Sequence, residues 1–130
     1  MNLIGKKNIL FGLYFFVATV GLGLFLAKVG ENSEIPDQTL KMLKQAHVHG
    51  NLESLLNVIF GFLIVNYGAQ SETLSKVASI SLILGTLCHS GVFYLYGLGI
   101  ESAMSISPVG ALLVLVSIVL MIPITYKGVR

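Results

Sequence analysis

Apolar residues fill four stretches of this chain, 9–27, 54–71, 77–100 and 102–126, with hardly a charge inside any of them. Each is close to the ~20 residues that an α-helix needs to cross ~30 Å of hydrocarbon. A bilayer accepts only helices or closed barrels, because every backbone polar group must be satisfied within the protein. None of the four stretches shows the apolar–polar alternation of a barrel strand, so each predicts a helix. With their flanks the spans fall at about 8–28, 41–67, 76–99 and 106–126. The expected fold is an all-α integral membrane four-helix bundle, one domain covering residues 1–130.

The second helix differs from the others. It opens on a polar segment, KMLKQAHVHGNLES, before the apolar run LLNVIFGFLIVNYG. If it starts near Leu40, with Asp37 or Thr39 as its cap, it is longer than the membrane requires. Its first two turns then stand among the lipid headgroups. The one sizeable loop, 30–38, precedes it and carries Glu31, Glu34, Pro36 and Asp37. Glycines recur in helices one to three, where small residues permit close packing.

Composition agrees with this pattern. Hydrophobic residues make up 55% of the chain and charged residues 11%, less than half the share usual in soluble domains. The scattered net charge of +2 offers no footprint for nucleic acid. Cys88 is the single cysteine, so no intrachain disulfide forms. Lys6 and Lys7 precede the first stretch as a signal peptide would require. That stretch is longer than a signal core and ends in no clean small-x-small site, so it is read as a retained helix. Lys6, Lys7, Lys76, Lys127 and Arg130 fall on one side of the four spans, and Lys28, Lys41 and Lys44 on the other. The larger basic group belongs in the cytoplasm, which puts both termini inside a bacterial cytoplasmic membrane.

Ionisable groups inside a span are costly and mark candidate sites. Here they are His47, His49 and Glu53 on helix two and His89 on helix three, with Asn51, Asn57 and Asn66 as polar company. Each residue of a helix advances ~100°, so His47 and His49 diverge by ~200° and do not share one metal ion on a regular helix. His47 shares a face with Asn51 and Ser54, and His49 with Glu53. An imidazole is a common haem ligand, and Gly50 beside His47 would let a flat macrocycle approach. The plain alternative is a histidine hydrogen-bonded at the lipid–water boundary. His49 with Glu53 reads as a metal or proton site, or as a helix-surface pair that neutralises a carboxylate. His89 could supply a second axial ligand, or simply bond a neighbouring helix. Tyr94 and Tyr96 in GVFYLYG fit an interfacial aromatic belt or a phenol aimed into a cavity.

AHVHGNLES, an apolar helix, a short polar turn and a third helix carrying VFYLYG together resemble the styrene oxide isomerases. These are small four-helix bacterial membrane enzymes that hold haem b between the subunits of a trimer and convert aryl epoxides to aldehydes. The resemblance spans roughly residues 46–96. It implies haem b with His47 as the iron ligand, Tyr94 as the substrate-pocket tyrosine, and a homo-oligomer, trimer or dimer, with haem between subunits. Six residues beyond the histidine the family has asparagine, where this chain has Glu53, and His49 is an addition. A weaker resemblance, to small haem–copper-oxidase-like membrane proteins, rests on the His-x-His at the start of helix two. His47 and Glu53 lie ~120° apart around one helix and cannot face one pocket within a single subunit, which also favours a site between subunits.

Three functions follow as expectations. The first is a haem-dependent isomerase of an apolar epoxide, with His47 on iron, Tyr94 on the epoxide oxygen and Glu53 or His49 steering substrate or a proton. The second is an electron-transfer or haem-sensing cytochrome ligated by His47 and His89. The third is a structural or transport protein without haem, using the His49–Glu53 pair for packing or proton coupling.

Overall fold

The structure is a computed structural model that describes residues 3–29 and 34–129. Glu31 of the loop and Arg130 of the basic group lie outside the described residues. The described residues are almost entirely helical, with no strand: α1 is Leu3–Val29, α2 Asp37–Tyr67, α3 Glu72–Gly97 and α4 Ser107–Gly128. Three helical stretches are long and apolar enough to cross a membrane: Leu3–Val29, Asp37–Gly97 and Glu101–Gly128. The second of these runs α2 and α3 together through a 3-10 turn, Gly68–Ser71.

The helix ends have local causes. Pro36, whose ring fixes φ, precedes α2, and its carbonyl accepts the first helical bond from the Leu40 N–H at 3.0 Å. Asp37 is therefore the first helical residue, and no side chain caps α2, contrary to the expected role of Asp37 or Thr39. Asp37 still places a carboxylate in the first turn, where it complements the helix dipole. At the other end Ser75 Oγ donates to the Gly68 carbonyl at 3.2 Å and helps fold the chain back into α3. After α3, Gly99 takes a left-handed φ of 89°, which a side chain would resist. A second 3-10 turn, Glu101–Ile106, then delays α4 until Ser107, with Pro108 in its first turn.

Consecutive helices pack antiparallel. Gly5 meets Gly61 and Gly12 meets Ser54 across α1 and α2, while Gly85 and Gly110 bring α3 against α4. A Cβ on Gly12 would stand 2.6 Å from the Ser54 carbonyl, so only a glycine admits this approach. Among the described residues α1 and α4 make no contact with each other. The helices form a folded row with α2 and α3 inside, and α1 and α4 expose most of their apolar surface.

The interior is more polar than the exterior. Among the described residues, eight of the eleven largest fully buried side chains carry a hydroxyl or amide: Asn8, Asn57, Thr19, Thr86, Ser54, Ser75, Ser90 and Ser117. Outside stand Tyr14, Val17 and Leu24, each at least 70% exposed. Water would penalise that exposed apolar surface and hydrocarbon does not, so the distribution fits a protein with lipid around it. Several of these buried polar groups pair across the helices. Asn8 Nδ2 donates to Asn57 Oδ1 at 2.9 Å, Asn57 Nδ2 donates to Thr86 Oγ1 at 2.9 Å, and Ser79 Oγ donates to Asn8 Oδ1. Such interhelical bonds are worth only about 0.6 kcal/mol each on average in membranes, so they set register more than stability. The purely apolar cluster, built on Phe60, Ile64, Leu82, Met121 and Ile124, occupies the end of the bundle near the α2–α3 turn.

Candidate functional site

The polar first half of α2 distributes its side chains to two neighbours. His47 and Asn51 turn toward α1, and Glu53 turns toward α3. This is the division that ~100° per residue requires.

On the α1 side, His47 Nδ1 lies 2.8 Å from the Thr19 carbonyl oxygen. A carbonyl only accepts, so Nδ1 carries a proton, and in the neutral ring Nε2 then keeps its lone pair. The Asn51 amide nitrogen is 3.4 Å from Nδ1 and 3.3 Å from Nε2. A donor on the in-plane lone pair of Nε2 would stand much farther from Nδ1, so the near-equal distances put the amide beside the ring rather than on that lone pair. Asn51 Oδ1 meanwhile accepts from Thr19 Oγ1 at 2.5 Å. The ring lies against Gly23 of α1, where any Cβ would collide with it. His47 is thus a half-buried imidazole of fixed tautomer with an uncommitted Nε2. That is how a histidine is prepared for a metal: the carbonyl behind Nδ1 sets the ring, and Nε2 remains to bind. By this donor chemistry His47 fits an axial ligand of haem iron. Gly50 does not play the part expected of it. Its bare Cα admits Thr19 and Phe15 of α1, so it serves helix packing and not the approach of a macrocycle.

On the α3 side, Glu53 is 3% exposed. Its Oε1 accepts from His89 Nδ1 at 2.5 Å and its Oε2 from Ser90 Oγ at 2.5 Å, so both carboxylate oxygens are satisfied. The partner of Glu53 is therefore His89, not the His49 one turn away on its own helix. The geometry of the bundle decides this, since α3 lies directly against that face of α2. His49 instead sets its ring edge-on to His89, centroids 4.9 Å apart, and stacks on Phe93 at 5.9 Å. His47 and His89 are engaged on opposite sides of α2, so one subunit does not bring both to one iron. Among the described residues no group of three or more histidine, cysteine, aspartate or glutamate side chains converges on a metal position.

Tyr94 sits one turn beyond Ser90 on α3, its ring edge-on to Phe15 of α1 at 6.1 Å. Its hydroxyl is buried and has no hydrogen-bond partner among the described residues. It lines a cavity of about 700 Å³ between the ends of α1, α2 and α3, walled by Leu22, Phe25 and Leu43 and bordered by Glu34 and Glu101. That volume suits a small organic molecule. Sequence reasoning named the histidines, Glu53 and Tyr94 but missed Thr19, Gly23 and Ser90. Thr19 is a polar residue inside an apolar helix, with Gly23 one turn further on, and this was the available signal. Comparison with known proteins gives no match: no family model, no curated protein and no solved structure matches the chain.

Proposed function

We propose that this chain is a four-span protein of the bacterial inner membrane, both termini cytoplasmic, that binds haem b through His47 at an interface between copies of itself. The observation that carries the reading is the hydrogen bond from His47 Nδ1 to the Thr19 carbonyl, which leaves Nε2 free to bind iron. The interface between copies is what the resemblance to styrene oxide isomerases implies, and it agrees with His47 and His89 being engaged on opposite sides of α2 within one subunit.

When bound, ferric haem supplies a Lewis acid able to polarise the oxygen of an apolar epoxide, the reaction that the resemblance to styrene oxide isomerases implies. The residues of the chain do the rest. His47 would hold the iron, with its ring oriented by the Thr19 carbonyl and flanked by Asn51. Tyr94 lines an apolar cavity, and its hydroxyl, which lacks a partner of its own, would turn into that cavity to hydrogen-bond a substrate oxygen. Glu53 is already committed to His89 and Ser90, so it acts on His89 and the packing of α3 rather than on substrate.

Absorbance of the purified protein tests the reading. A Soret band is expected, with a broad high-spin spectrum that changes when an external ligand is added. Sharp split bands on reduction would indicate two strong axial ligands and the cytochrome alternative. His47→Ala should lose haem while the helical fold survives. Full haem content in that variant, or no Soret band after supply of hemin, would refute the assignment.

A further inference from the structure

We infer that Asn51, pinned by the Thr19 hydroxyl, tunes how strongly the His47 imidazole donates electrons to iron; this rests on His47 being the haem ligand of the proposed function. One residue of α1 sets the ring from two directions. The Thr19 carbonyl takes the Nδ1 proton of His47, and the Thr19 hydroxyl donates to Asn51 Oδ1 at 2.5 Å. Thr19 is itself fully buried, and its methyl lies where a Cβ on Gly50 would stand, so its side chain has one place to lie.

The orientation of the Asn51 amide follows from distance. A 2.5 Å separation suits O–H···O and is too short for N–H···O, so the amide oxygen, and not the nitrogen, faces Thr19. The hydroxyl also lies 3.0 Å from the Phe16 carbonyl, but its single proton serves the closer acceptor. The amide nitrogen is thereby turned to His47, 3.4 Å from Nδ1 and 3.3 Å from Nε2. Among the described residues it meets no carbonyl or carboxylate oxygen. Gly23 already occupies the Cε1 edge of the ring, so the amide stands over the ring face.

An amide N–H aimed at the face of an imidazole puts the positive end of a dipole on its π electrons. The Thr19 carbonyl acts in the opposite sense, since an acceptor on Nδ1–H makes Nε2 a stronger donor. Asn51 offsets part of that push. A ring that gives less density leaves ferric iron more electron-poor, which raises its reduction potential and suits it to polarise the uncharged oxygen of an epoxide. Asn51 and the Thr19 hydroxyl are thus positioning residues. The hydroxyl reaches the amide and not the ring, so it acts through Asn51.

Spectroelectrochemical titration of the full-length haem protein tests this with variants that leave His47 and the Thr19 carbonyl in place. Asn51→Leu should lower the reduction potential and keep the Soret band. Thr19→Val removes the hydroxyl at nearly constant shape and should shift the potential the same way. Thr19→Ser retains the hydroxyl and should keep the original value. In the Asn51→Leu background Thr19→Val should add no further shift. An unchanged or raised potential in Asn51→Leu would overturn the inference, as would a Thr19→Val shift of equal size with and without the Asn51 amide. If Asn51→Leu does not fold, the two Thr19 variants decide alone, and equal potentials in them overturn the inference. The Soret band keeps the two readings apart. Haem with unchanged potentials sinks the tuning and leaves the ligand assignment standing, whereas no Soret band in the unsubstituted protein sinks the haem assignment and the tuning with it.

Discussion

Glu53 on α2 and His89 on α3 are joined by a hydrogen bond, Nδ1 to Oε1 at 2.5 Å, in the part of the bundle where α2 and α3 bury each other. The carboxylate is almost sealed and the imidazole side chain is 18% exposed, so the pair reaches the surface through His89 only. Among the described residues no lysine pairs with the carboxylate: Lys76 pairs with Glu72 at the far end of α3, and Lys127 stands at the end of α4.

Removing one member should therefore hurt more than removing both. His89→Leu leaves Glu53 with Ser90 alone, and removing one partner of a buried pair costs up to about 3–5 kcal/mol. Glu53→Gln keeps the shape and removes the ionisable group, and combined with His89→Leu it should recover part of the loss. Denaturant or SDS titration of the four proteins gives the coupling. Additive effects within about 0.5 kcal/mol would mean that the two residues act independently.

Gly23→Ala tests the seat of His47 without touching the imidazole. The added methyl occupies space held by the ring, so the ring must move off the Thr19 carbonyl. Haem affinity should fall about tenfold or more, within the 10–100-fold range typical when a ligand loses its orienting partner. Gly21, two residues away, has nothing within 4 Å of where its Cβ would be. Gly21→Ala should keep haem and slightly stabilise α1. Equal haem loss in both variants would point to a general effect on α1 and away from the His47 contact.

The contrast between those glycines shows what could be read from sequence. Periodicity and length placed four helices, because lipid allows little else and the apolar runs end at polar residues. The start of α4 at Ser107 agrees with the expected 106, whereas α1 begins at Leu3, earlier than its apolar run, because the polar segment with Lys6 and Lys7 continues the same helix. The faces of α2 were legible from ~100° per residue, so His47 with Asn51 came out as expected. The partner of Glu53 was not. A helix wheel places His49 beside it at i−4, but the wheel carries no information on which side α3 packs. The tautomer of His47 depends on a carbonyl of α1 twenty-eight residues away, which no local pattern encodes.

Lys76 and Glu72 form the one ion pair between a lysine and a carboxylate among the described residues, Nζ to Oε1 at 2.9 Å, one turn apart on exposed α3. The Lys76 hydrogen bond and its charge hold the Glu72 carboxyl below its ordinary range. A lowered carboxylate value means that any stabilisation is present above the unfolded value and fades as pH falls through the folded one. Because Glu72 is fully exposed, the effect is screened and small. Lys76→Ala should leave the unfolding midpoint unchanged within error at neutral pH, in low or high salt. A clear loss of stability would show that this end of α3 is buried in an assembly.

The topology can be settled with cysteine chemistry because the chain has a single native thiol. Cys88 lies partly buried, and its backbone contacts Gly110 of α4, so Cys88→Ala leaves that contact in place and gives a thiol-free background. Four spans with cytoplasmic termini put Glu34 and Glu101 outside, and Lys7, Glu72 and Lys127 inside. All five are exposed on the chain, so a membrane-impermeant maleimide reaches each once the aqueous phase does. On intact cells Glu34→Cys and Glu101→Cys should label, and the other three should label only after lysis. The reverse pattern would invert the bundle and put the cavity, with its two carboxylates, in the cytoplasm. Labelling of Glu34→Cys and Glu72→Cys from the same side would mean that α2 does not cross the bilayer, and His47 and Glu53 would then be surface groups rather than membrane-embedded ones.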